Sequence, residues 1–235
     1  MRLLPLLLAA TMTTAPVLLL GQTVQDGVDA YNAGDYETAA EIILPLAEEG
    51  DAGAQAQLGW MYDLGLGVPQ DYEQAAKWYR MAAKQGHAAA QRYLGKMYYF
   101  GDGVLQNYEQ AEKWTRLAAE QGDALAQLNL GVMYEKGDGV PQDYAEAAKW
   151  YRMAAEQGYA LAQFNLGVMY YQGEGIPQNF RNAYILFNLA AARGNEDART
   201  NREISAEELS PDQLAEAQRI SSEWKVGEPL PLQGR

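Results

Sequence analysis

Glycine recurs along this chain at one fixed spacing of 36 residues. Four positions of the repeat carry it, and they give the sets Gly59/Gly95/Gly131/Gly167, Gly65/Gly101/Gly137/Gly173, Gly67/Gly103/Gly139/Gly175 and Gly50/Gly86/Gly122/Gly158/Gly194. A fixed period between about 20 and 50 residues is typical of a repeat array, in which each unit buries its apolar face against its neighbours. The spacing therefore predicts a solenoid without a single central core.

The third copy shows what one unit folds into. Ala126, Leu130, Met133 and Tyr134 fall at positions i, i+4, i+7 and i+8, which is one face of a helix. After a loop over residues 135–142, residues 143–155 repeat that helical pattern. Each unit is predicted to be an antiparallel helix pair, called helix A and helix B below, and the fold class is all-α.

The ends of helix B carry residues suited to helix termini. A side chain that can cap free backbone N–H groups stands at its start in every copy: Asp71, Asn107, Asp143 and Asn179. Three residues later, in the capping-box position, lie Gln74, Gln110 and Glu146. Helix B is predicted to end at Gly86 and its equivalents, because glycine adopts the left-handed conformation that closes a helix.

Gly59 and its copies fall inside helix A, where glycine costs about 1 kcal/mol relative to alanine. Retaining it four times predicts a close contact with a neighbouring backbone or aromatic ring. The pair Gly65 and Gly67 belongs to the loop between helices A and B. A phosphate loop would need a preceding strand and a following Lys-Ser/Thr, and the sequence has neither.

The unit resembles a known family. The pattern A-x-x-x-L-G-x-M-Y-x-x-G-x-G-V, followed by Q-D/N-Y and W-Y-x-x-A-A-x-x-G, is similar to the Sel-one-like repeat, a relative of the tetratricopeptide repeat. The resemblance implies a right-handed α/α superhelix that acts in protein–protein interaction, and many bacterial members are exported. The chain departs from the pattern at Leu105, which replaces proline, and at Leu186, which replaces tryptophan.

The repeat register divides the chain into segments. The four full units are predicted at residues 54–89, 90–125, 126–161 and 162–194. Residues 22–53 form a shorter, tetratricopeptide-like capping unit, and residues 195–225 form C-terminal capping helices in which Ser210, Pro211 and Gln213 mark a helix start. Two prolines and two glycines predict a mobile tail over residues 226–235.

The first 21 residues are predicted to be a secretory signal peptide. Arg2 supplies a positive start, and the segments 3–10 and 17–20 are apolar. Gly21 is a plausible last residue of the signal, although an uncleaved membrane anchor stays open as the alternative. No other apolar run approaches membrane length, so we expect no integral membrane segment after signal removal and a periplasmic or secreted protein.

Composition narrows the chemistry. The net charge of −13 disfavours nucleic acid and anionic membranes as partners, because both attract basic surfaces. Cysteine is absent and His87 is the single histidine, placed in a turn, so the sequence predicts no metal site, no cofactor and no catalytic residue. Catalysis by carboxylates alone stays open, since acidic residues are plentiful.

Comparison of the four copies locates a variable stripe on helix A. Its positions lie at i, i+4 and i+7, and in tetratricopeptide-like folds this helix lines the concave surface. The stripe mixes aromatic, aliphatic and charged side chains, which suits peptide recognition. We define the predicted binding stripe as Trp60, Asp63, Arg92, Lys96, Tyr99, Leu128, Val132, Glu135, Phe164, Val168 and Tyr171. The alternative is that these residues only fill contacts between repeats.

These observations favour a non-catalytic scaffold or adaptor of the bacterial cell envelope that binds a protein or peptide in its concave groove. One alternative is an envelope hydrolase acting on cell-wall fragments or β-lactams. The other is a structural solenoid that self-assembles through its end caps. The oligomeric state is not predicted.

Overall fold

A computed structural model describes residues 23–232, and within them the chain forms twelve α-helices and no strand. The predicted signal peptide, residues 1–21, lies outside the described residues. The helices are α1 (Val24–Asn32), α2 (Tyr36–Glu48), α3 (Ala52–Leu64), α4 (Tyr72–Lys84), α5 (Ala88–Phe100), α6 (Tyr108–Glu120), α7 (Ala124–Lys136), α8 (Tyr144–Glu156), α9 (Ala160–Gln172), α10 (Phe180–Ala191), α11 (Glu196–Glu207) and α12 (Pro211–Glu223).

Each helix packs against the one before it and the one after it, which is the arrangement of a solenoid. The pairs α3/α4, α5/α6, α7/α8 and α9/α10 are helices A and B of the four repeats. The shorter pair α1/α2 precedes them, and α11 and α12 both pack on α10. The predicted all-α fold of 36-residue helix pairs is confirmed.

The predicted N-caps of helix B are confirmed. Asp71, Asn107 and Asn179 each accept a hydrogen bond from the backbone N–H three residues on. The reciprocal half of the capping box occurs at α1 and α12 among the described helices, and not at the predicted helix B positions. At α8 the Glu146 carboxylate instead forms an ion pair with Lys149.

The glycine inside helix A faces a side chain of helix B in its own repeat. A methyl group on Gly59 would lie 2.7 Å from Cδ1 of the Tyr79 ring, which leaves no room for any other residue. The same approach occurs in the other repeats, at 2.5 Å for Gly95 to Thr115, 2.6 Å for Gly131 to Tyr151 and 2.8 Å for Gly167 to Phe187. The predicted ring contact is thus confirmed in three repeats, and in the second the ring is replaced by threonine.

The second glycine of the A–B loop joins one repeat to the previous one. A Cβ on Gly67, whose φ is +70°, would lie 1.9 Å from the backbone oxygen of Tyr36 at the start of α2. Gly103 and Gly139 approach the starts of α4 and α6 in the same way. Each loop therefore rests directly on the first residue of the preceding helix B, and these glycines serve packing.

A buried glutamine ties each helix A to the end of the preceding helix B. Its side-chain amide donates to a backbone carbonyl eight residues earlier, at 3.1 Å in all four repeats. The pairs are Gln55 to Ala47, Gln91 to Ala83, Gln127 to Ala119 and Gln163 to Ala155. Sequence analysis did not identify this role, because glutamine is a mostly exposed residue type and its spacing alone gives no sign of burial.

A second glutamine, at the end of helix B, bonds to the buried glutamine of helix A in the same repeat. Gln85 donates to Oε1 of Gln55 at 2.8 Å, and Gln121 and Gln157 make the equivalent bonds to Gln91 and Gln127. We call this run the glutamine spine. It stops at Gln163, whose Oε1 has no hydrogen-bond partner, because the next position of the series is arginine, Arg193.

The C-terminal segment differs from the mobile tail that its prolines and glycines predict. Leu230 is only 1% exposed. It lies with Leu232 in the apolar cluster formed mainly by α8, α9 and α10, which we call the main core cluster. The backbone N–H of Gly227 donates to the carbonyl of Glu156 at 2.8 Å, and that of Leu230 donates to the Glu156 carboxylate at 3.1 Å. Leu230 and Leu232 thus cover apolar surface at the end of the array.

Replacing Gln127 by leucine is expected to destabilise the protein by about 1–3 kcal/mol, because the carbonyl of Ala119 is then buried without a donor. Gln172→Leu, at an exposed end of α9, is the control and should change the free energy of unfolding little. Urea unfolding followed by circular dichroism measures both. Equal stability of the two variants would contradict a structural role for the spine.

Gly131→Ala is expected to destabilise by about 1–3 kcal/mol through overpacking against Tyr151. The same change at an open helical site would stabilise by about 1 kcal/mol, so the sign itself is informative. In a Tyr151→Ala background the added methyl has space, and the penalty should disappear. Additive effects of the two substitutions in thermal unfolding would contradict the contact.

Candidate functional site

The structure brings the predicted binding stripe onto the helices A, but it buries one member. Leu128 is 6% exposed and packs in the main core cluster with residues of α8 and α9. Its assignment as a partner contact is therefore wrong. The reason is the tight approach of successive repeats, which encloses an aliphatic side chain near the start of α7.

Two further members of the stripe are half-buried and held by neighbouring repeats. The indole N–H of Trp60 donates to the Tyr31 hydroxyl at 2.8 Å, and its ring centroid lies 5.1 Å from that of Tyr93. Arg92 forms a 3.0 Å ion pair with Asp123. These side chains fasten one repeat to the next.

The charged and phenolic members also have internal partners. Tyr99 donates to the Asp138 carboxylate at 2.7 Å, and Glu135 accepts a hydrogen bond from the Tyr151 hydroxyl. Burial raises the pKa of the Asp63 carboxyl, while the positive charge of Lys96 opposes that change.

The members in the fourth repeat and at Val132 contribute mainly to packing. Val132, Phe164, Val168 and Tyr171 are partly buried against the main core cluster. The ring of Phe164 lies 5.8 Å from that of Phe187. These residues pack as the alternative interpretation expects, since they fill contacts between repeats. Lys96, in contrast, is exposed.

Lys96, Tyr99 and Val132 meet at a pocket of about 220 Å³ between α5 and α7, with α6 beneath it. We call this the α5–α7 pocket. Its remaining walls come from residues that sequence analysis did not select, namely Gly95, Phe100, Thr115, Asn129, Met133 and Lys136. Phe100 is 61% exposed, which is high for a large apolar side chain and is typical of a surface that contacts another molecule.

The pocket exists because of Thr115. In the other three repeats the equivalent position carries an aromatic ring, in Tyr79, Tyr151 and Phe187, and that ring lies against the glycine of helix A. Threonine is too short to fill the same volume, so the space above Gly95 stays open. The 36-residue comparison could have revealed this departure, since it interrupts an otherwise aromatic column.

The pocket is locally basic in an acidic protein. Lys96 and Lys136 both line it and both are exposed, although the whole chain has a net charge of −13. The exposed amide of Asn129 adds a group that can donate or accept. The arrangement combines an apolar floor with cationic and amide groups, which suits binding of an apolar group next to an anion.

The single histidine lies outside this pocket. His87 caps α5, where its Nδ1 accepts the backbone N–H of Ala90 at 3.3 Å. Within residues 23–232 there is no group of three metal-ligating side chains. The same span has no helix with the length and apolar character that a bilayer crossing requires.

Stacked antiparallel helix pairs with a fixed 36-residue period define a tetratricopeptide-like α-solenoid. The chain belongs to the Sel1 repeat family, whose model matches residues 52–87, 88–123, 124–159 and 160–195. These units begin two residues earlier than the predicted repeats, at the first residue of each helix A. Among curated proteins no sequence matches significantly.

Solved structures agree with the family. A protective antigen of uropathogenic Escherichia coli with an SLR fold is 35% identical, with a TM-score of 0.77, and the match covers 85% of this chain and 45% of the antigen. A Sel1 repeat protein of Oxalobacter formigenes is 32% identical, with a TM-score of 0.75 and coverage of 86% and 82%. This chain thus corresponds to less than half of the antigen.

The hydrogen bond to Asp138 raises the pKa of Tyr99 to about 12, because the carboxylate accepts only from the protonated phenol. Because the pKa of Tyr99 is higher in the folded protein than in the unfolded chain, its hydrogen bond stabilises the fold fully below pH about 10. This contribution is lost as the pH rises toward about 12. A difference titration of tyrosinate absorbance, wild type minus Tyr99→Phe, should show the late group. Titration of the missing group near pH 10 would contradict the bond.

Proposed function

We propose that this protein is a non-catalytic scaffold of the bacterial cell envelope that binds a protein or peptide on its concave face at the α5–α7 pocket. Sel1 repeat proteins generally mediate protein–protein interactions, and the chain belongs to that family. The family supports the class of function, and the pocket is where we propose that the partner binds.

The observation that carries the proposal is the concentration of available groups at one point of the array. Most of the predicted binding stripe is engaged in contacts between repeats, whereas Lys96, Phe100 and Lys136 are exposed around a cavity. A partner that fills the pocket and neutralises the lysines would bury apolar area and gain favourable charge contacts.

Affinity capture from a native envelope extract, read by mass spectrometry, tests this site. The Lys96→Glu/Lys136→Glu variant reverses both charges at the pocket and is expected to lose the partner that wild type recovers. Lys77→Glu/Lys113→Glu makes the same charge change on α4 and α6, away from the pocket, and should retain it. Equal recovery by both variants would refute the pocket as the binding site.

The proposed envelope location rests on the predicted signal peptide, residues 1–21.

Cell fractionation tests the location. We expect the protein in the periplasm or the medium, with an intact mass that lacks about the first 21 residues. Deletion of residues 2–21 should leave it in the cytoplasm with the same fold, because the first described helix starts at Val24. A full-length protein in the cytoplasmic fraction would contradict export.

A further inference from the structure

The missing ring of the second repeat leaves a cavity with a defined shape. We propose that the α5–α7 pocket takes the phenyl ring of a partner peptide in which phenylalanine is flanked by acidic residues. This inference rests on the proposed function and adds the chemistry of the partner.

The other repeats show what this space holds. In the first repeat Tyr79 lies against Gly59 and stacks on Tyr93, with ring centroids 5.2 Å apart. Tyr93 is the equivalent of Asn129 in the pocket wall. An aromatic ring above the helix A glycine is therefore the packing that the scaffold already uses, and the second repeat lacks both this ring and the tyrosine on which Tyr79 stacks.

The fourth repeat shows that a hydroxyl is not needed. Phe187 lies against Gly167 with its Cε1 2.8 Å from the position of a Cβ on that glycine, and it is 1% exposed. A phenyl ring therefore satisfies the site by apolar contact alone. This makes phenylalanine a sufficient occupant of the equivalent space in the second repeat.

The volume agrees with a ring. A cavity of about 150 Å³ lined by apolar side chains is large enough to bind benzene. The α5–α7 pocket has about 220 Å³ and opens to solvent, so a phenyl ring can enter from outside. Phe100 and Val132 on opposite sides supply apolar contacts for its faces.

The lysines around the pocket indicate which residues should flank the phenylalanine of the partner peptide. Two lysines line the pocket, from α5 and from α7, and the Asp138 carboxylate lies beside it, where it accepts a hydrogen bond from the Tyr99 hydroxyl. Lys96 interacts with Asp63 of the preceding repeat, whereas Lys136 is exposed at the end of α7. An acidic residue beside the phenylalanine would meet this positive region, while the rest of the acidic chain would repel it elsewhere.

Peptide titration against the full chain tests the inference. The probe is Gly-Ser-Asp-Phe-Glu-Ser-Gly, acetylated and amidated so that it carries no terminal charge. Replacing its phenylalanine by alanine should weaken binding by about 10- to 100-fold, the effect of losing one buried ring. Replacing the two acids by their amides should weaken it by about 2- to 5-fold, less at high salt. Equal affinity of the phenylalanine and alanine peptides would overturn the inference, and so would binding only of a peptide that ends in a free phenylalanine carboxylate.

Thr115→Phe is the matching protein variant, because it restores the aromatic column and fills the pocket. It should melt at or above the temperature of wild type and lose at least 10-fold in affinity for the probe. Thr115→Val, which keeps the pocket open, should bind as wild type does. Thr115→Leu fills the space with a smaller side chain and supplies the comparison if Thr115→Phe does not fold. Full binding by a folded, filled variant would overturn the inference.

The two proposals fail in different ways. If Thr115→Phe still captures the native partner while Lys96→Glu/Lys136→Glu does not, the inferred phenylalanine contact is wrong and the proposed binding site is retained. If both variants capture it, the proposed binding site is wrong as well.

Discussion

The buried amide of one glutamine per repeat is the interaction on which the array depends. Helix stacking by apolar contact alone would tolerate sliding, because alanine and leucine surfaces have little directional preference. The bond from Gln127 to the carbonyl of Ala119 fixes the position of α7 on α6 to within a hydrogen-bond length, and the same geometry recurs at every junction between repeats. Because the donor is buried, breaking it leaves an unpaired polar group, and this penalty makes the spacing of successive repeats uniform.

Within each repeat a different constraint sets the spacing. The glycine of helix A lets a ring of helix B lie against its backbone, so the two helices approach closely and the ring closes the space between successive helices A. A repeat in which the ring fills that space has no cavity there for a ligand. Thr115 is the exception, and the pocket follows from it. A binding site on this scaffold thus arises by omitting one packing group, while the surrounding repeats keep their rigid geometry.

Much of the fold could be predicted from the sequence, because its signals are local and repeated four times. The N-caps at Asp71 and its equivalents and the ring contact of Gly59 were both correct. The contacts of the tail were not anticipated, because its prolines and glycines were weighed without the apolar surface that Leu230 covers. The site was harder. Variation between copies selected Lys96 and Tyr99, which line the pocket, but it equally selected Leu128, which is buried in the core. Variation does not distinguish a surface residue from one at a junction, and burial does.

The spine also determines how such a protein can change in length. Every junction uses the same bond from a buried glutamine to a backbone carbonyl, so removing residues 88–123 would bring Gln127 to the carbonyl of Ala83 and restore the pattern. After α10 the series is interrupted, because Arg193 and Arg199 occupy the two glutamine positions and Arg193 lies over the Trp224 ring instead. Whole repeats can therefore be gained or lost within the array without changing the contacts between repeats. The C-terminal boundary is different, because arginine replaces glutamine at both positions there.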